Sequence, residues 1–137
     1  MRNKAPLALA EQLIMLLVFA LTAALCLKCF VWGEEAADAG ARRDAAALCA
    51  QNAAEILKYA RGDLALAAAE TGWVEDGAWQ VCYDESWHPV QTGGDYLLRV
   101  WILEEDIPLL GSAEVSVLDA NGRVLCALPV RWQEVSP

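Results

Sequence analysis

From Leu7 to Trp32 the chain is almost pure hydrocarbon, interrupted only by Glu11, Gln12, Thr22 and Lys28. No other feature restricts the fold so strongly. These 26 residues, at about 1.5 Å each in a helix, are ample for a bilayer core of about 30 Å. A domain within a chain of 137 residues has no core that could surround such a segment. The apolar part of a secretory signal is also shorter, about 7–15 residues. The segment is therefore read as a single transmembrane helix.

Its flanks set an orientation. Arg2 and Lys4 precede it without any acid, and the acidic stretch GEEAADAG follows it. Basic residues favour the cytoplasmic side, so the N-terminus is expected in the cytoplasm and the C-terminal part outside it. From Gly33 onward there are 18 Asp/Glu against 7 Lys/Arg, a net of −11. Phosphate backbones require a basic patch, so no direct nucleic-acid binding is expected, and the partner read from composition is the lipid bilayer.

Beyond the apolar run the sequence divides into two further parts. Residues 33–72 are rich in Ala and other helix formers. Ala46, Cys49, Ala53, Ile56, Leu57, Ala60, Leu64 and Ala67 follow the i, i+3, i+4, i+7 spacing of an amphipathic helix. Glu55 and Lys58 are spaced for an i,i+3 pair. One helix is expected from about Leu7 to Glu70, with any bend near Gly33 or Gly40 and a stop at Thr71–Gly72.

Residues 73–137 carry five of the six Trp and the Gly-Gly and Asn-Gly turn signals. GAWQVCYD, WHPV, YLLRVWILEED, AEVSVLD and RVLCALPVRW read as four or five antiparallel strands. In the first of these, Trp79, Val81 and Tyr83 share a face. Val115, Val117, Val124, Cys126, Leu128 and Val130 are predicted to face the helix. Pro129 cannot donate to a ladder, which places the last strand at an edge. The fold class is α+β. Residues 1–32 form a basic leader and membrane helix, 33–72 its amphipathic continuation, and 73–137 a small antiparallel sheet packed on it.

This order resembles a type IV pilin-like protein of the minor pilin or type II secretion pseudopilin kind. The matching residues are the basic leader MRNK, the helix opening LALAEQLIMLLVFALTAA with Glu11 near its start, the Ala-rich continuation and the C-terminal sheet. The resemblance implies a bacterial structural subunit of a filament or pseudopilus, serving secretion, DNA uptake or adhesion. It is membrane-anchored before assembly, and its partners are other pilin-like subunits and the membrane assembly machinery.

In that family the glutamate is the fifth residue of the mature chain and meets the N-terminal amine of a neighbouring subunit. Glu11 takes that role if processing occurs between Pro6 and Leu7; a cut after Ala5 would make it sixth. The family has Gly, sometimes Ala, before the cut. The competing reading is a single-pass protein with a small extracytoplasmic binding or scaffold domain that never polymerises. There, Glu11 sits at the cytoplasmic interface and reaches water.

No residue pattern points to an enzyme, a cofactor or a metal. Cys26 and Cys29 form C-x-x-C inside the apolar helix, with no further ligands at hand. The single His88 lies beside Pro89 in a turn-rich stretch. Glu104–Asp106 read as solvated charge. Free thiols are the default for all five cysteines. A Cys82–Cys126 bridge would require neighbouring strands and an oxidising compartment.

Overall fold

The computed structural model describes residues 3–134; Arg2 of the basic leader lies outside them. Helix α1 runs from Ala5 to Tyr59 without interruption, through both Gly33 and Gly40. Pro6 falls in its first turn, where a missing N–H leaves no helical hydrogen bond unmade. The chain forms two compact units, residues 1–40 and 41–137.

The helix expected to reach Glu70 stops earlier. Arg61 and Gly62 adopt left-handed backbone (φ 51° and 80°). The Gly62 N–H donates to the Leu57 carbonyl at 3.0 Å, and the Arg61 N–H to that of Lys58 at 3.1 Å. These bonds satisfy the last carbonyls of α1 and end it. Asp63 then caps a new helix, α2 (Leu64–Glu70): its carboxylate accepts from the N–H groups of Ala65 (2.9 Å) and Leu66 (3.1 Å). A Gly followed by an N-capping Asp is thus both stop and start signal. The stop at Thr71–Gly72 holds for α2, whose C-cap is Thr71.

Six strands follow: β1 (Trp73–Glu75), β2 (Ala78–Tyr83), β3 (Pro89–Val90), β4 (Tyr96–Leu103), β5 (Leu110–Asp119) and β6 (Val124–Gln133). They form one antiparallel sheet in the order β1-β2-β4-β5-β6, with β3 also paired to β2. β1 is an addition to the expected set. It is joined to β2 by Asp76 and Gly77, both at positive φ (53° and 76°). That is the two-residue turn Asp-Gly favours. β6 is at the edge, as Pro129 requires.

One face of the sheet and one side of the helices share a core. Ala46, Ala50, Ala53, Ala54, Leu57, Ala60 and Ala67 are buried with Trp79, Val81, Leu98, Val100, Val115, Val117, Val130 and Trp132. The predicted helical stripe is therefore the packed one, with Cys49, Ile56 and Leu64 at its margin. Trp132 explains two glycines. A Cβ at Gly62 or at Gly111 would collide with its indole ring.

The predicted face of β6 is corrected at one end. Val124 is 59% exposed, although Val115, Val117 and Val130 are buried as expected. The cause is a bulge. Val117 pairs with Cys126 and Leu118 with Val124, so Leu125 is the extra residue. Leu125 packs against the core beside Cys126, and the alternation beyond it is reset.

Candidate functional site

The exposed apolar half of α1 is the most unusual surface of the molecule. Residues 5–38 are all exposed, with Leu7 at 75%, Phe19 at 74% and Phe30 at 71%. In water this would be an intolerable patch, since large contiguous apolar surfaces mark membranes or partners. α1 is long and apolar enough to cross a membrane, and none of its most apolar stretch is buried within the chain.

Within this surface the polar groups are few. The Thr22 hydroxyl donates to the Val18 carbonyl one turn back at 2.7 Å, which hides it from hydrocarbon. Glu11 makes no hydrogen bond or ion pair with any described residue, and Ala5, Pro6 and Leu7 lie exposed one to two turns before it. Its carboxylate therefore needs water, a proton or a group from another molecule. Cys26 and Cys29 are free and exposed.

The sheet unit holds the remaining residues singled out from the sequence. Cys82 and Cys126 are free. β4 and β5 separate their strands. At about 4.8 Å per strand they stand roughly 14 Å apart, beyond disulfide reach. The register also places them on opposite faces: Cys82 aligns with Leu97 and Leu118, Cys126 with Val117 and Leu98. The proposed bridge fails on both counts.

Glu105 pairs with Arg131 at 3.2 Å, and His88 lies 3.8 Å from Asp84. Among the described residues no group of three or more His, Cys, Asp or Glu is placed to hold a metal ion.

Two titrating features were not legible as sequence motifs. Burial pushes the Tyr83 hydroxyl up to about 12, and the adjacent Cys49 adds to the shift. Burial likewise raises the Cys49 thiol, while its contact with Tyr83 opposes this. Only the fold brings α1 and β2 together, so spacing could not reveal the pair. Asp119 closes the β5–β6 turn by accepting from the N–H groups of Asn121 and Arg123, both at 2.9 Å. The Arg123 N–H bond, with the others, holds this carboxyl below the usual carboxylate range. These groups shape the domain.

Comparison with family models, with curated proteins and with solved structures gives no match. The geometry stands by itself: an anchor-like helix joined to a small antiparallel β-sheet domain.

Proposed function

We propose that this chain is a structural, non-enzymatic subunit of a pilin-like filament or pseudopilus, held in the membrane by α1 before assembly. The observation that carries the reading is Glu11, a carboxylate without a partner among the described residues, near the start of the exposed apolar half of α1. A neighbour's terminal ammonium would neutralise it in one axial register only. In that role Glu11 is a register pin. The sheet domain lies outside the cytoplasm in this reading, and the partners are like subunits and their assembly machinery. Processing between Pro6 and Leu7 would release the amine.

A second reading is favoured by Pro6, which stands where the family has a small residue. In it, the chain remains a single-pass protein with an outer binding or scaffold domain, and Glu11 reaches water at the interface.

Glu11→Ala and Glu11→Gln separate the two. Loss of a carboxylate makes the anchor more apolar, so insertion is retained in both variants. The filament reading expects loss of crosslinking or co-purification with partner subunits. Glu11→Gln should fail too, because it keeps shape and hydrogen bonding but not charge. Assembly equal to the parent in both variants favours the second reading. Mass spectrometry of the mature N-terminus gives an independent check: residue Leu7 at the terminus supports the filament subunit.

A further inference from the structure

The sheet face that points away from the core is built as two cross-strand rows. One row runs Trp73–Gln80–Arg99–Ser116, the other Glu75–Ala78–Trp101–Glu114. Across β1, β2 and β4 these rows make a shallow groove of 340 Å³, lined by Glu75, Asp76, Ala78, Gln80, Arg99 and Trp101. Ala78 and Gln80 form its floor, because they lie on the middle strand of the three. The walls stand two strands apart, roughly 10 Å at their roots.

Gln80 is the odd residue. It is only 6% exposed, yet it lines the groove. Its amide makes no hydrogen bond with any described residue, and it is not among the side-chain atoms wholly sealed from solvent without a partner. The stem is thus buried while the amide meets the groove. A buried polar group in that position is normally satisfied. Arg99 forms no ion pair within the described residues either, and it is exposed.

We propose that this groove binds a neutral glycan chain, taking one hexopyranose unit. Four features support this ligand class. The groove carries both signs of charge, with the two carboxylates of Glu75 and Asp76 against the single guanidinium of Arg99, so a strongly anionic ligand is repelled. Sugar hydroxyls both donate and accept, which matches a carboxylate that only accepts, a guanidinium that only donates, and an amide that does both. Trp101, partly exposed at the groove wall, is an aromatic side chain of the kind that packs on the C–H face of a pyranose. Gln80 is already fixed by burial, so ordering it on binding is inexpensive. The open, shallow shape suits side-on contact with a chain better than enclosure of a small free molecule. Binding here does not depend on whether the chain polymerises.

The test uses the full chain in lipid nanodiscs, with tryptophan side chains labelled with ¹⁵N. The probes are a β-1,4-linked N-acetylglucosamine tetrasaccharide and maltotetraose, with a tetragalacturonate as the anionic comparison. A neutral probe should shift the Trp101 indole resonance and leave those of buried Trp79 and Trp132 in place. Gln80→Met keeps the volume and, read by the same Trp101 shift, should weaken binding by about tenfold or more. Arg131→Ala, on the same face beyond the groove, should bind as the parent does.

Three results would overturn the proposal. One is no Trp101 shift with either neutral probe at about 10 mM, well past weak millimolar affinity. Another is tighter binding of the galacturonate. The third is unchanged affinity in folded Gln80→Met. Because the Trp101 resonance is read in the parent protein, an unstable variant does not remove the test.

Discussion

The two ends of α1 use the same backbone in opposite ways. From Ala5 to Asp38 every residue is exposed, including large Leu, Phe and Trp side chains. From Ala46 to Leu57 the buried positions are Ala46, Ala50, Ala53, Ala54 and Leu57. Large apolar residues are thus displayed where the chain offers no partner, and small ones, Leu57 apart, are buried where it does. Ala lets a helix approach a sheet closely, while a stripe of Leu would hold it off. The lesson is that residue size, as much as hydropathy, tells which stretch of the helix its own chain covers and which it does not.

The comparison breaks most sharply under a buried charge. Val117 is fully buried, so Val117→Asp should destabilise the sheet domain by about 4 kcal/mol or more. An unchanged thermal midpoint would overturn the assigned core face. The matching change at the exposed end, Leu17→Asp, should leave that midpoint alone. It should instead weaken membrane insertion by about 3 kcal/mol, read by membrane fractionation.

Gly62→Ala tests the join between the helices. It forces φ +80° on a residue with a Cβ and pushes that Cβ into Trp132. A loss of about 1–3 kcal/mol in chemical denaturation is expected. Asp63→Ala removes only the cap of α2 and should cost about 1 kcal/mol. If Asp63→Ala were the more damaging, the close packing of Gly62 on Trp132 would be wrong.

The smallest effect near neutral pH belongs to Tyr83→Phe. The folded-state Tyr83 hydroxyl is raised to about 12 from 10.0. Its contribution is therefore complete below pH 10 and is lost as pH rises towards about 12. Cys49, raised from 9.0, acts in the same direction from a lower onset. Alkaline denaturation should be shallower in Tyr83→Phe than in the parent. An identical profile would mean that Tyr83 ionises freely in the fold.

Features legible in the sequence are those whose signal is local. The apolar length of Leu7–Trp32 specifies a helix that its own chain does not cover, and Ala spacing specifies the buried stripe of residues 46–67. Alternation locates β2, β4, β5 and β6, and Pro129 places β6 at an edge. The end of α1 and the strand β1 were equally local. Gly62–Asp63 and Asp76–Gly77 are their punctuation, the first set within an Ala-rich pattern that runs on both sides of it.

Other features depended on residues far apart in the chain. The order β1-β2-β4-β5-β6 decides that Cys82 and Cys126 cannot meet. The bulge at Leu125 decides that Val124 faces solvent. Strand pairing alone gathers Glu75, Gln80, Arg99 and Trp101 into one groove, and helix-on-sheet packing alone sets Cys49 beside Tyr83. Periodicity states which face of an element is apolar. It does not state which elements become neighbours, because that choice is made by the combined burial of many side chains and by ladder hydrogen bonds between distant segments.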